Sequence, residues 1–317
     1  MRRSGPAAQA AAAAARPARV GVIRNPQARR HRVGAPPARP AGVRVEEPRS
    51  REALAAALRG FASEGLDLLV VDGGDGTVRE VLGLAPEAFG GGPPRIAVLP
   101  SGTTNVLAAD LGARPGWSLA AAMASPRSAL RTPLEVRRSD KAEPLRRGFI
   151  FGAGVYVEAV RLAERARRSR AVGGAALVGA ALAQMGARTA LGGREGAWRA
   201  GVRMRLRHGK EQAREEARFL LLASTLARMP LGVKPFGPPR EGLKVLDVAG
   251  APRRLRWALP LLLSGADRPW LAGAGYRRAD PDRLEVTLRT PYVLDGDEFE
   301  GGDLVLTPGA PLEFAVP

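Results

Sequence analysis

Between residues 18 and 112 the apolar positions fall into short unbroken runs that alternate with stretches of helical spacing. ARVGVIRNP (18 to 26) is β-branched and ends on Asn25-Pro26, which predicts a buried strand followed by a turn. SREALAAALRGFASEG (50 to 65) opens on a cap-type serine, carries leucines at 54 and 58 and closes on a glycine, the marks of a helix. LDLLVVDGG then predicts a second buried strand, GTVREVLGLA a helix, and PRIAVLPSG (94 to 102) a third strand running into a loop. TNVLAADLG (104 to 112) predicts a helix with Gly112 just past its end. Strands alternating with helices at these lengths imply βαβ units, hence a parallel sheet with right-handed crossovers and a ligand site at the carboxyl ends of its strands.

After about residue 133 the rhythm changes. RGFIFGAGVYV, GVRMRLR, RFLLLAS, GLKVLDV, RLEVTLR and DLVLTP are strand-like, interrupted by helical patterns at 158 to 190 and 252 to 266. That succession predicts a second, mostly antiparallel β domain. The expected organisation is a disordered tail over 1 to 18, an α/β domain over 19 to 132 and a β domain over 133 to 317. The alanine run of the tail holds no leucine, valine or phenylalanine, which sets it apart from a signal peptide.

A length of 317 residues suits two domains, and 45% hydrophobic with 25% charged residues describes a chain with a real core. The absence of cysteine excludes disulfides and cysteine metal sites and makes the cytoplasm the default compartment. A formal net charge of +18 favours an anionic partner, either nucleic acid or the anionic face of a membrane. Only 4 of the 49 basic residues are lysine, so a general bias towards arginine accounts for part of that excess. Residues 161 to 210 nevertheless hold 12 Lys and Arg against Glu164 and Glu195 alone. Aromatic residues make up 5% with no stacking pattern, which argues against specific nucleic-acid binding. The uncharged segment 171 to 187 is mostly alanine and glycine, too weakly apolar for a spanning helix. His31 and His208 sit among arginines, far from metal-type spacing, and are expected to be solvated.

The chemistry concentrates in GGDGT, Gly73 to Thr77, which is neither the dinucleotide fingerprint nor a lysine-bearing phosphate loop. Glycines let backbone approach a phosphate closely, and amides at a helix N-terminus favour an anion. Asp75 in their midst repels a phosphate unless a cation or proton bridges the two; an acid favoured by the helix dipole is the competing reading. PSGTTN places Gly102, Thr103, Thr104 and Asn105 at a neighbouring strand end, and two glycine loops at adjacent strand ends make a cleft.

VVDGGDGTVREVLGL, followed about two dozen residues later by IAVLPSGTTNVLAADLG, resembles the catalytic domain of the diacylglycerol kinase family, which includes sphingosine kinases and bacterial lipid kinases. GVIRNPQARR is similar to the opening strand of that family, and PYVLDGDEFEGGDLVLTPGAPLEFAVP to its closing block. The resemblance implies a nucleotide-binding α/β domain, a β-sandwich that takes the lipid, and ATP with Mg²⁺ in the cleft between them. The implied reaction moves the γ-phosphoryl group to a diacylglycerol-like lipid hydroxyl.

By the same resemblance Gly73, Gly74, Gly76, Thr77 and Gly102 cradle phosphates, while Asn25, Thr103 and Asn105 line the nucleotide site. Asp295 falls at the catalytic base, Asp75 and Asp297 belong to the metal-linked acidic network, and Glu135 joins that network. Four positions depart from the family pattern. Asp297 stands for a glutamate, with Glu298 next to it; Glu135 and Tyr156 stand for aspartates. Glu241 replaces the aspartate of an Asp-Gly pair beside Lys244, which argues against the structural metal site of some bacterial members.

The expected partner is a lipid substrate at an anionic membrane surface, met by a peripheral protein on the cytoplasmic face of the inner membrane, with no specific nucleic acid. The basic stretch 161 to 170 is expected either to rest on headgroups or to form a solvated helix face. Oligomeric state stays open, a homodimer included. Two other functions compete: a catalytically weak lipid- or nucleotide-binding protein, and an NAD kinase, which shares GGDGT but not PSGTTN or the LDGD block.

Overall fold

The computed structural model describes residues 19–28, 42–142, 145–168 and 200–317. The expectations for the tail, for His31 and for segment 171 to 187 fall outside the described residues.

The first sheet is built as the periodicity predicts. Strands β1 (Val20–Arg24), β2 (Val43–Glu46), β3 (Leu68–Gly73) and β4 (Arg95–Pro100) run parallel in the order β2-β1-β3-β4. β1 and β3 are buried along their whole length, the reason they read as unbroken apolar runs rather than alternating ones. Helix α1 (Arg51–Glu64) starts where the Ser50 hydroxyl accepts the Ala53 N–H and stops at Gly65, whose φ of 64° only glycine adopts without strain. Helix α2 (Asp75–Phe89) begins directly after β3 and continues through Pro86 beyond its predicted end. Two short helices, α3 (Val106–Asp110) and α4 (Leu119–Ala124), and strand β5 (Ser128–Arg131) complete the unit.

One strand of this sheet comes from the far end of the chain. Leu312–Ala315, the last strand (β17), lies between β4 and β5, parallel to the first and antiparallel to the second. The expected placement of everything from 133 to 317 in the second domain therefore does not describe residues 312–315. Phe314 is fully buried in the core of the first sheet, and that burial holds the strand there.

The second sheet is antiparallel and comprises β6 (Leu134–Arg138), β7 (Arg146–Gly148), β8 (Ile150–Gly154), β9 (Val202–His208), β10 (Arg214–Ser224), β11 (Lys244–Ala249), β12 (Tyr276–Ala279), β13 (Leu284–Leu288), β14 (Tyr292–Leu294), β15 (Asp297–Phe299) and β16 (Gly302–Pro308). Its order is β15-β14-β8-β10-β9-β13-β16-β6-β7, with β11 added to β10 and β12 to β11. The sheet curls so that Phe151, Leu221 and Tyr292 from one half meet Leu134, Val286 and Leu306 from the other in a single core, a sandwich made from one continuous sheet.

Three local expectations change. The strand expected over RGFIFGAGVYV ends at Gly154, whose φ of 71° breaks it, and helix α5 (Val155–Arg168) starts at once. The helical pattern at 252 to 266 becomes α6 (Leu255–Ser264), which stops at Gly265 with φ 81°, and a second short helix, α7 (Pro269–Gly273), follows beyond it. His208 is buried, not solvated: inward and outward residues alternate along β9, and His208 follows Met204 and Leu206 on the inward side. Both its ring nitrogens lack hydrogen-bond partners, and burial lowers its pKa, so it is neutral.

The two sheets share core. Phe149, Phe219 and Leu226 of the second pack in one cluster with Leu107, Leu111 and Phe314 of the first. Buried Asp110, at the end of α3, accepts the Arg131 guanidinium and, at 2.5 Å, the Arg228 N–H from the second domain.

Candidate functional site

Each glycine loop leaves the carboxyl end of a strand of the first sheet, β3 for GGDGT and β4 for PSGTTN. They touch backbone to backbone: a Cβ on Gly102 would lie 2.5 Å from the Gly74 Cα, and one on Gly73 would lie 2.6 Å from the Thr77 side chain. Only glycine lets the two loops meet this closely. A buried polar set ties their bases together, since Asp72 accepts Arg24 Nε at 3.0 Å and the Ser101 hydroxyl at 2.6 Å. Asn25 Nδ2 donates to Thr77 Oγ1 at 3.0 Å, which brings the Asn-Pro turn of β1 to the first loop. In the second loop Asn105 closes on Gly102, its Oδ1 accepting the Gly102 N–H at 2.8 Å and its Nδ2 donating to the Gly102 carbonyl at 3.0 Å. Asn105 adopts φ 49°, a left-handed conformation that asparagine tolerates. Gly76 and Thr103 complete the loops, both partly buried.

Asp75 belongs to the first turn of α2, but its carboxylate serves the neighbouring helix. Oδ2 accepts the Thr104 hydroxyl and Oδ1 the Val106 N–H, both at 2.6 Å, so Asp75 caps α3 and clamps one loop to the other. Burial raises its pKa against the lowering effect of these donors. Thr104 is a functional contact that the expected site residues omit, although PSGTTN contains it.

Asp295 faces this clamp from the second domain. Asp295-Gly296 form a two-residue turn between β14 and β15, both with positive φ (48° and 92°), the Asp-Gly hairpin signature. The Asp295 carboxylate accepts the Phe149 N–H at 3.0 Å and the Ile150 N–H at 2.8 Å, while a Cβ on Gly148 would stand 2.6 Å from its Oδ2. Burial pushes its pKa up to about 7, against those backbone donors, with the Asp75 charge adding to the rise. Tyr156 completes the group: burial raises its hydroxyl pKa, and the charges of Asp295 and Asp75 raise it further. Its ring folds over Gly152, where a Cβ would lie 2.0 Å from it. The position expected to carry a third acid therefore carries a neutral phenol that feels the charges of Asp295 and Asp75.

Three of the remaining acids, Asp297, Glu135 and Glu298, are engaged by arginines. Arg79, one helical turn after Asp75, pairs with Asp297 and with Glu80 and lies over the Phe299 ring. Its spacing from Asp75 on α2 is the signal that marks it, and only the fold shows its partner. Glu135 pairs with Arg147 at 2.8 Å across β6 and β7. Glu298 forms a two-pronged pair with Arg161 at 2.6 and 2.8 Å, which binds the basic helix α5 to β15. Glu241 is exposed. Beside it the buried Lys244 ammonium donates to the Arg240 and Gly242 carbonyls at 2.9 Å, placing a built-in cation in that turn.

Among the described residues no three His, Cys, Asp or Glu side chains converge on a point that could hold a metal. Asp75 is committed to α3 and Asp297 to Arg79. This donor set fits an ion brought in by a nucleotide, which keeps phosphate oxygens and waters and needs one or two carboxylates, and does not fit a resident one.

Residues 20–136 match the family model described as the diacylglycerol kinase catalytic domain. No curated protein matches the chain. Three solved structures from Bacillus anthracis strain Sterne are similar to it over nearly their whole length. One is a diacylglycerol kinase at 13% identity, TM-score 0.61, covering 95% of this chain and 97% of that one. A candidate diacylglycerol kinase follows at 16%, TM-score 0.65, with 95% and 96% covered, and another at 15%, TM-score 0.62, with 95% and 97% covered. At these identities the likeness is one of fold. Both glycine loops and the Asp75 clamp lie inside the matched segment, while Asp295 and Asp297 lie beyond it; residues 20–136 thus carry the match to the diacylglycerol kinase catalytic domain, set in a two-domain frame.

Proposed function

We propose that the protein transfers the γ-phosphoryl group of ATP to the hydroxyl of a diacylglycerol-like lipid at an anionic membrane surface. The observation that carries this reading is Asp295, a partly buried carboxylate held by two backbone amides, with a pKa raised to about 7, facing the two glycine loops. A general base works best when its pKa lies near the working pH. The backbone of Gly73, Gly74, Gly76 and Gly102 offers close approach to the phosphates, with Thr77 held by Asn25. Asp295 takes the proton of the lipid hydroxyl as its oxygen bonds to the γ-phosphorus and the bond to the ADP oxygen breaks. Mg²⁺ bound with ATP, next to Asp75 and Asp297, would neutralise charge on the phosphates. Arg79 supplies a fixed positive charge at the same edge.

The test is phosphorylation of a panel of lipid hydroxyls, with NAD included as an acceptor, by the purified full-length chain. Turnover of a diacylglycerol that is lost in Asp295→Asn while ATP still binds is the expected result. Absence of turnover on every lipid would remove the proposal. A second reading, a protein that binds ATP or lipid without consuming either, draws on the pairing of Asp297 with Arg79 and on Tyr156 in the place of an acid. Calorimetric ATP binding with no turnover would select it.

A further inference from the structure

The side of α6 turned away from the core carries an apolar cap inside a basic rim. Ala258 and Leu262 are buried beneath it, while Trp257 is 61% exposed and Leu263 36%. Arg256 lies over the Trp257 ring at 5.2 Å, and Arg254 over that of Trp270 at 5.8 Å. The Lys234 N–H donates to the Leu263 carbonyl at 2.8 Å and brings the turn Pro230–Gly232 beside the end of α6. Leu231 in that turn is 60% exposed and adopts φ 59°. Leucine there bears two costs, a left-handed backbone and an apolar side chain in water, and glycine would avoid both. Around the cap, Arg228, Lys234, Arg253, Arg254, Arg256 and Arg268 are all exposed, with Asp267 the acid among them.

This surface adjoins the cleft. The turn 230–232 packs against α3, the helix capped by Asp75, and the Arg228 N–H donates to Asp110 at the end of α3. The charge identifies the occupant: a second copy of the chain would bring a like set of cations to the same face, whereas an anionic bilayer offers phosphates to the arginines and acyl chains to Trp257, Leu263 and Leu231. Indole favours that boundary, with an apolar body and one polar N–H.

We infer that the outward side of α6 and the 230–234 turn form the membrane-docking surface, seating the apolar cap in the headgroup layer of an anionic bilayer with the cleft beside it. The inference rests on the lipid-kinase reading for the reason a membrane is met, but its test does not need turnover. Full-length protein is sedimented with phosphatidylcholine vesicles with and without phosphatidylglycerol. Binding is expected to the phosphatidylglycerol vesicles, and to fall by about tenfold or more in Trp257→Ala combined with Leu231→Gly. Both positions are exposed and glycine suits φ 59°, so an unchanged melting temperature checks the fold. Turnover of a dispersed short-chain diacylglycerol is expected to be unaffected by the pair.

Wild-type binding by the double variant would overturn the inference, as would loss in Arg161→Ala instead, which would move docking to α5. A drop from dimer to monomer with vesicle binding intact would also overturn it, by making the cap an interface between copies. Turnover of short-chain lipid without vesicle binding would overturn the surface and leave the kinase. Variant-sensitive vesicle binding without turnover would support the surface and remove the kinase.

Discussion

Asp295 and Asp75 are partly buried acids in one cleft that do different work. Asp75 spends both oxygens holding Thr104 and the start of α3, whereas Asp295 is held only by backbone amides from β8 and its approach. With its pKa raised to about 7, Asp295 becomes a base as pH rises through neutrality. The expected kcat/KM profile therefore climbs with pH to a plateau above about 7, and Asp295→Asn removes about 10²- to 10⁴-fold of turnover. The stability effect has the opposite sign. Folded Asp295 keeps its proton to higher pH than in the unfolded chain, so the folded state loses stability as pH rises from the ordinary carboxylate range to about 7. Asp295→Asn cannot ionise and should flatten the fall of melting temperature over that range, read by calorimetry. The LDGD motif marks Asp295 in the sequence, but Phe149 and Ile150, about 145 residues away, are found only by folding.

The elements divide by how much of their behaviour is local. The strands of the first sheet were legible because both faces are buried, which leaves unbroken apolar runs. α5 was misplaced because Val155 and Val157 suit a strand as well as a helix, and Gly154 with its φ of 71° decides. The two glycine loops were legible as glycine-rich turns, but their mutual contact was not. Gly102→Ala puts a Cβ 2.5 Å from the Gly74 Cα, whereas Gly74→Ala puts one 3.2 Å from the Gly102 Cα. Gly102→Ala should weaken ATP binding the more, by about tenfold or more, since the loops must part to admit the methyl. Calorimetry on both variants checks the order.

At the scale of the molecule the chain's end belongs to its beginning. β17 lies inside the first sheet, between β4 and β5, so that sheet is complete only with a strand from beyond the second. Phe314→Ala removes a fully buried ring from that strand and should cost about 3–5 kcal/mol, measured by denaturant unfolding. A loss confined to a few tenths would show that β17 only decorates the sheet. Asp110 and the shared core around Leu107, Phe149 and Phe314 join the domains on the cleft side. Among the described residues no helix is long and apolar enough to cross a membrane.

The sequence by itself determined whatever depends on near neighbours: the alternation of strands and helices up to residue 112, the glycine loops at strand ends, and the Asp-Gly turn. These follow from side-chain periodicity and from the few residues that tolerate positive φ. Tertiary structure decided which groups meet. It gave Asp75 to α3, Asp297 to Arg79, Glu135 to Arg147, the Tyr156 phenol to the company of Asp295 and Asp75, and β17 to the first sheet. Such pairings span up to about 220 residues and are set by which buried surfaces fit together, a property that no local pattern encodes.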